Sequence, residues 1–474
     1  MTPLWTSKEV ITATNGTSFG SKFWQANGIS IDTRTISPGN IFIAIIGENI
    51  DGHNYIDEAF EKGASAAIIS KKNANISGKN YVLVRDTFVG LNSLAKYSRS
   101  RSKTKVIAIT GSVGKTSTKE ILRSALSGQF LVYATEGNLN NHLGVPLTLA
   151  RMPVDTDFAI LELGMNKAGE IRSLSKLVKP DFALITSVEA VHLEFFDSID
   201  DIADAKGEIF EGTKRKGFAI INLDSKYFQK LSEIANQYEL NVISFGSSKN
   251  PDVKLLNYVL HEDCTCVTCD INGLKMAFKI GVPGLHVINN SLSVLAIVNA
   301  IGGDLSLAGI SFSNMTLPNG RGNRKKLITD DGEFELIDES YNASPVSMKA
   351  ALQLLGQAKI KNNGRRIAVL GDMLELGQQS LSLHQGLSNH IKEAGIDMVF
   401  SSGKLMESLY KILPENIYKV WSKQSSELTN LLISELKAGD VVMVKGSFGS
   451  GMGKVVRELE RFYKINKDLN RGMN

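Results

Sequence analysis

A short turn at residues 110–117 constrains this chain more than any other stretch. Val106-Ile-Ala-Ile109 is an apolar run of strand length, and Thr110-Gly-Ser-Val-Gly-Lys-Thr-Ser117 follows it. Leu122, Ala125 and Leu126 then recur at helical spacing. Strand, glycine turn and helix in that order predict an anion cradle. Such a turn points successive backbone N–H groups at one spot, and the helix N-terminus adds partial positive charge. Gly111 and Gly114 permit the backbone angles and the close approach of phosphate oxygens. Lys115 is expected to bridge the β- and γ-phosphates, Thr116 to offer its hydroxyl to Mg²⁺, and Ser117 to complete the turn. Two residues separate Gly111 from Gly114-Lys115-Thr116, which is tighter than the common G-x-x-x-x-G-K-[ST] loop and argues against a GTPase or a motor ATPase.

Around this turn the chain alternates strands and helices. With 474 residues it is too long for one core. A first α/β unit is expected over 1–103, with strands at Asn40–Ile46, Ala66–Ile69 and Tyr81–Val84 and a helix over Tyr55–Lys62. The polar run Ser98–Thr104 ends it. A central unit over 104–317 carries strand-like runs at Phe158–Leu161, Phe182–Ile185 and Phe218–Ile221, which together with Val106–Ile109 read as a doubly wound, mostly parallel sheet. The turn-rich, basic stretch Leu317–Arg324 marks the second boundary. A third unit over 318–474, of Rossmann-like type, has strands at Phe334–Ile337, Arg366–Leu370, Met398–Ser401 and Val441–Val444. Gly446–Gly453 invites a second phosphate-loop reading, but Lys454 follows without Ser or Thr.

Net charge and cysteines narrow the class. A charge of +4 from 53 basic and 49 acidic side chains does not call for nucleic acid. The basic bias of Lys464–Arg471 reads as a solvated end. Lys8 and Glu9 interrupt any signal-peptide core, and no apolar run approaches bilayer length, so a cytoplasmic protein without a membrane span is expected. Three thiols and no secretory signal fit a reducing compartment. His261, Cys264, Cys266 and Cys269 have the form of a metal knot. The β-rich alternation of Cys264–Cys269 and the turn signal Asn272-Gly273 favour a hairpin instead, set as a β insertion at about 250–281.

Downstream residues supply what a bound triphosphate needs. Glu162 ends the strand Phe158–Leu161, where a carboxylate can hold Mg²⁺ directly or through water. His192 follows the carboxyl end of another strand, where open α/β sheets bind ligands. Lys206 lies in Ala203-Asp-Ala-Lys-Gly-Glu208, a helical stretch in which an ion-pair partner is the plain reading.

Thr110–Thr116 resembles the short phosphate loop of the Mur ligase family and of folylpolyglutamate synthases. Further blocks look like those of Mur ligases: Glu136-Gly-Asn-Leu-Asn-Asn-His-Leu-Gly-Val-Pro146, Glu162-Leu-Gly-Met-Asn166 with Gly169-Glu-Ile171, and Ala203–Ile209. So do Asp338-Glu-Ser-Tyr-Asn-Ala-Ser-Pro345, and Gly371-Asp-Met-Leu-Glu-Leu-Gly377 with His384. Asp32-Thr-Arg34, Gly47-Glu48 and Asp51-Gly-His53 resemble the family's UDP-sugar unit. The blocks run in family order from about residue 30 to 450, and within the family they look like members that add D-alanyl-D-alanine to UDP-N-acetylmuramoyl-tripeptide.

The resemblance implies ATP-dependent amide-bond formation through an acyl phosphate, on these two small-molecule substrates, by a monomer. It implies two Mg²⁺ ions and CO₂ captured as a carbamate on Lys206, the carbamate joining Thr116, His192 and Glu162 at the metal. It places Lys115, Lys206 and His192 in catalysis. Nucleotide contacts fall to the loop Gly111–Ser117 and to Asn141, His286, Asn290, Arg321, Asp338, Glu339 and Asn342, with Arg324 in the same hinge block as Arg321. Thr33, Arg34 and Gly47 would face the UDP-sugar. Three residues depart from the family's pattern. Glu339 stands for an aspartate, which could lengthen the ribose contact or shift it to Asp338. Ser344 stands for an asparagine. Phe448 stands for an arginine, which puts one basic contact in doubt. Two readings share the fold: a folylpolyglutamate synthase, against which Asp32-Thr-Arg34 argues, and a Mur ligase adding a single lysine or diaminopimelate, against which Asn138–Asn141 and Asp372–Glu375 argue. A non-catalytic nucleotide-binding protein is a third, separated by whether ATP hydrolysis depends on the UDP-sugar.

Overall fold

A computed structural model describes residues 3–71, 76, 78–191, 193–261, 263–316, 319–329, 331–361 and 363–465. Three principal sheets carry these residues. His192, Leu317 and Pro318, and the tail from residue 466, lie outside them.

The largest sheet has nine strands, and Lys105–Thr110 lies among the inner ones. From Val132–Ala134 through Phe158–Glu162, Lys105–Thr110, Phe182–Ile185, Phe218–Asn222 and Asn241–Gly246 to Val253–Leu260, neighbouring strands run parallel. Side chains alternate between the two faces. Ile107, Ile109, Ile160, Leu184 and Ile220 face helices Lys115–Ser127 and Leu285–Ala300. Val106, Ala108, Ala159, Leu161 and Ala183 face helices Gly144–Arg151, Glu170–Val178 and Ile199–Gly207. Covering both faces is what makes these strands read as unbroken apolar runs rather than as alternating ones. The expected β insertion extends this sheet: Val253–Leu260, Thr265–Ile271 and Leu274–Ile280 pair antiparallel. Asn272 (φ 51°) and Gly273 (φ 93°) form the two-residue turn between the last two strands. Cys266, exposed, and Cys269, buried, lie on opposite faces of the strand Thr265–Ile271, Cys264 is buried just before it, and no metal-binding cluster occurs among the described residues.

The N-terminal sheet has five strands. Gly28–Ser30, Asn40–Ile43, Ala66–Ile69 and Tyr81–Leu83 run parallel, and Thr17–Phe19 pairs antiparallel with the last. The strand expected over Asn40–Ile46 stops at Ile43. Beyond it the Ala44 carbonyl accepts the Thr87 hydroxyl (2.9 Å), and Ile46 bridges to Asp51. The helix expected over Tyr55–Lys62 is a 3₁₀ turn, Gly52–Tyr55, leading into an α-helix, Ile56–Glu61. This sheet is bonded to the central one. Trp5 Nε1 donates to the Ala150 carbonyl (2.9 Å) and Arg151 Nε to the Ile29 carbonyl (2.6 Å). Leu147 and Ala150 of the central helix are buried in the N-terminal core.

The third sheet has seven strands. Tyr418–Ser422, Met398–Ser402, Arg366–Gly371, Val441–Lys445 and Gly332–Glu339 are parallel neighbours in that order, and Asn323–Thr329 continues antiparallel. The strand Val441–Lys445 therefore enters between two strands that precede it in sequence. The carboxyl ends Glu339, Gly371 and Lys445 meet at that crossing, the place where open α/β sheets take ligands. No helix among the described residues is long and apolar enough to cross a membrane.

Candidate active site

The glycine turn leaves the strand Lys105–Thr110 and enters the helix Lys115–Ser127. Gly111 (φ 146°) and Gly114 (φ 93°) hold backbone angles that other residues avoid. Space is short as well. A side chain on Gly111 would run into the Thr186 hydroxyl, and one on Gly114 would meet Asn290 Oδ1 at 3.0 Å.

The neighbouring strand end clasps the loop. Ser112 N–H donates to the Ser187 carbonyl (2.9 Å) and Val113 N–H to Ser187 Oγ (3.0 Å). Thr186 Oγ1 donates to the Val113 carbonyl (2.6 Å), and Ser112 Oγ exchanges hydrogen bonds with Glu189. The N–H groups of Ser112 and Val113 are engaged within the protein and give the loop its shape. The remaining anion-facing donors are those of the helix's first turn, Lys115 to Ser117, which have no partner within a helix. Lys115 Nζ donates to the Gly111 carbonyl (2.6 Å) across the cradle. Loss of hydration lowers its pKa, Glu162 opposes that shift and Arg321 adds to it.

Thr116 and Glu162 meet as the sequence suggested. Thr116 Oγ1 donates to Glu162 Oε2 (3.0 Å), and Asn140 Nδ2 donates to Glu162 Oε1 (2.9 Å). The carboxylate is 2 % exposed. Lys206 is also 2 % exposed and has no hydrogen-bond or ion-pair partner among the described residues. Burial, reinforced by the charge of Lys115, pushes its pKa well below the usual lysine value. The ion-pair reading of Lys206 therefore fails: its acidic neighbours are engaged elsewhere, Asp204 with Lys230 (2.8 Å) and Glu208 with the N–H groups of Gly169 and Arg172. The Thr116 hydroxyl and the buried Glu162 carboxylate suit a magnesium site.

Helix Leu285–Ala300 borders the other side. Asn290 is buried, its Oδ1 close to Gly114, and its Nδ2 has no partner. His286 is exposed, with its ring folded against Gly284. Asn141 caps helix Gly144–Arg151, its Oδ1 accepting from the N–H groups of Leu143 (3.1 Å) and Gly144 (2.9 Å).

The third sheet reaches the loop through Arg321, whose Nη2 donates to Thr116 Oγ1 (3.1 Å). Arg324 instead pairs with Glu335 across the sheet (3.0 Å). Both oxygens of Asp338 are taken, one by Gly320 N–H (3.0 Å) and the other by the hydroxyl (2.6 Å) and N–H (3.1 Å) of Ser340. Asp338 thus stitches the turn, and Glu339, paired with Lys445 Nζ (3.1 Å), is the more exposed carboxylate. The same Nζ donates to the Asn342 carbonyl (3.0 Å). Ser344 caps the helix Pro345–Gln357, a role asparagine would fill equally well, so nothing in the structure explains that departure. The turn at 446–453 is filled from within, since a side chain on Gly446 would strike Ser450 and Met452, so it offers no second cradle.

Thr33, Arg34 and Gly47 sit beyond the carboxyl ends of the parallel strands Gly28–Ser30 and Asn40–Ile43. Arg34 is 86 % exposed and pairs with Asp32 (2.6 Å). Thr33 is buried, with its carbonyl taking Lys62 Nζ (2.9 Å), and Gly47 closes a turn onto Ile50 (2.8 Å).

Reading the sequence missed Asn140, Thr186, Ser187, Tyr341 and Lys445 as parts of the site. Asn140 stands inside the block Glu136–Pro146, so position alone could have suggested it.

Comparison with known proteins matches three segments: the Mur ligase family catalytic domain at 25–95, the Mur ligase middle domain at 109–298, and the Mur ligase glutamate ligase domain at 323–448. The chain is 38% identical over 432 residues to the UDP-N-acetylmuramoyl-tripeptide--D-alanyl-D-alanine ligase of Rickettsia prowazekii, covering 91% of this chain and 94% of that one. Among solved structures it resembles MurF from Acinetobacter baumannii (TM-score 0.84, 29% identity, covering 97% of this chain and 99% of that one). It also resembles MurF from Thermotoga maritima, solved in complex with ADP (TM-score 0.75, 27% identity, covering 92% and 98%).

Proposed function

The chain belongs to the Mur ligase family, and from that premise we infer that it joins D-alanyl-D-alanine to UDP-N-acetylmuramoyl-tripeptide with ATP, in the synthesis of peptidoglycan precursor. Relatives of the same name match nearly the whole chain. What supports the reading at the site is that Lys115, Thr116 and Glu162 meet at one glycine turn, and that the buried, unpartnered Lys206 feels the charge of Lys115.

A carboxylate resists attack by an amine, because its carbonyl is electron-rich and oxide leaves poorly. Transfer of the γ-phosphoryl group to the tripeptide's terminal carboxylate gives an acyl phosphate and releases ADP. The dipeptide amine, having shed its proton, then attacks the acyl carbon, and phosphate leaves with both C–O electrons. Lys115 and the first N–H groups of its helix hold the phosphates in line. Arg321 brings a second positive charge from the third sheet to Thr116. Thr116, Glu162, His192 and a carbamate on Lys206 would hold two magnesium ions, which draw negative charge off the phosphoryl group as it moves. Carbamate formation consumes CO₂ and a neutral amine and releases one proton, and the burial of Lys206 supplies that neutral amine. Glu339 would take the ribose, and His286, Asn290 and Asn342 the rest of the nucleoside. Thr33, Arg34 and Gly47 would take the UDP-sugar.

The three units are proposed as 1–103, 104–317 and 318–474, binding the nucleotide sugar, ATP and the dipeptide, in a cytoplasmic monomer. Combining ATP, Mg²⁺, the UDP-tripeptide and D-alanyl-D-alanine should release phosphate and yield a product heavier by the dipeptide minus water. Phosphate release that does not require the dipeptide, or a product extended by one amino acid, would overturn this reading.

A further inference from the structure

We propose that Tyr341 is a positioning residue for the ligation reaction, acting by holding the guanidinium of Arg321 in register with the phosphate loop. The proposal rests on the ligase reading given above. Arg321 lies on a turn flanked by Gly320 (φ 76°) and Gly322 (φ 98°), and its long side chain leaves that turn for Thr116. A free arginine gives up rotamer freedom when fixed, so something must fix it beforehand if Thr116 is to find it in place.

Tyr341 supplies that surface. Its ring centre lies 4.2 Å from the Arg321 guanidinium carbon, at stacking distance. The backbone sets the pair: Tyr341 N–H donates to the Gly320 carbonyl (3.0 Å), Gly322 N–H to the Asp338 carbonyl (2.7 Å), and Gly320 N–H to the Asp338 carboxylate (3.0 Å). A side chain on Gly320 would meet Tyr341 Cβ at 2.9 Å, so glycine is what lets the ring approach. Phe448 stands next to Tyr341, ring centres 6.2 Å apart and tilted. Phe448 itself is 79 % exposed. The result is a continuous path, Phe448–Tyr341–Arg321–Thr116, from the carboxyl end of strand Val441–Lys445 to the residue that also bonds Glu162. The phenol oxygen has no part in it, so the ring alone carries the role.

The test is a kinetic double-mutant cycle on the full-length enzyme with all three substrates. Tyr341→Leu should lower kcat about tenfold, equivalent to ~1.4 kcal/mol, with KM for the UDP-tripeptide unchanged. Tyr341→Phe should retain wild-type kcat. Arg321→Lys should show a similar fall, and Tyr341→Leu combined with Arg321→Lys should fall no further than either alone. Tyr341→Met replaces the leucine variant should that one not fold. Equal losses in Tyr341→Phe and Tyr341→Leu, or losses that multiply in the double variant, would overturn the proposal. Wild-type enzyme measured alongside keeps the two claims apart, since failure of the ligase reading would appear there first.

Discussion

Lys206 is the residue at which burial and chemistry conflict most openly. An ammonium buried to this degree normally has a carboxylate beside it, and this one has none among the described residues. Lys206→Met should therefore relieve the cost of burying a polar amine that has no partner, while removing a proposed metal ligand. Melting temperature should rise or hold, and ligation should fall about 100-fold or more. Calorimetry and phosphate release, measured on one preparation, read the two effects separately. Carbon NMR with labelled bicarbonate should show a carbamate signal in the parent enzyme and none in the variant. Gly111 presents the opposite case, a residue defined by what cannot be added. Alanine there would have to accept φ 146° and a collision with Thr186. A cost of about 1–3 kcal/mol is expected, with a rise in KM for ATP as the clasp from Thr186 and Ser187 is forced open. Titrations with ATP and thermal melts of Gly111→Ala check both.

At the scale of elements, the apolar runs gave the parallel strands well, because strands buried on both faces carry their signal in composition. Phe182–Ile185 was read to the residue, and Phe158, Phe218, Arg366, Met398 and Val441 were read as strand starts. Those five strands each run one residue beyond the apolar stretch, since the hydrogen-bond ladder is indifferent to side chains. The overrun at Asn40–Ile46 has the converse cause: an apolar stretch continues after its carbonyls have found partners outside the sheet. The site followed the same division. Residues on the glycine turn were legible from local pattern, whereas Thr186 and Tyr341 join it through contacts between distant parts of the chain, which no local pattern encodes. The 3₁₀ turn at Gly52–Tyr55 carries a prediction of its own. Asp51 caps it by accepting His53 N–H (3.0 Å), and it also bonds His53 Nδ1 (2.6 Å) and Lys71 (3.2 Å). The backbone N–H leads in lowering its pKa from 3.8 to about 2. Between those values the unfolded chain takes up a proton that the native turn refuses, so stability falls as pH drops through that interval and is fully present above it. With solvent screening, about 1 kcal/mol is at stake. Asp51→Asn should be less stable at neutral pH and should show a shallower loss between pH 4 and 2 in denaturant titrations.

For the whole molecule, the contacts are unequal. The N-terminal sheet shares its core with helix Gly144–Arg151 and is bonded through Trp5 and Arg151, so it should move with the central sheet. The third sheet touches the central one more lightly, through Arg321 on Thr116 and through Glu194 N–H on the Glu375 carbonyl (3.2 Å). Contacts of that kind suit a part that docks and leaves, and docking would keep water from the acyl phosphate. Small-angle scattering should show a smaller radius of gyration with an ATP analogue and UDP-tripeptide together than with either alone. Hydrogen exchange should slow at 320–322 and 372–377 and stay unchanged at 147–151. A uniform response across all three sheets would count against this division of labour.

The amide nitrogen of Asn290 has a use beyond catalysis. Folding has already stripped it of water and left it unpartnered beside Gly114. Its surface is closed in this arrangement, so an inhibitor that drew the Asn290 amide toward the cradle and set a carbonyl oxygen against it would gain a hydrogen bond from a donor already dried by folding. Chemists seeking an antibacterial lead against this enzyme would find there an anchor point that needs no mimic of the charged phosphates.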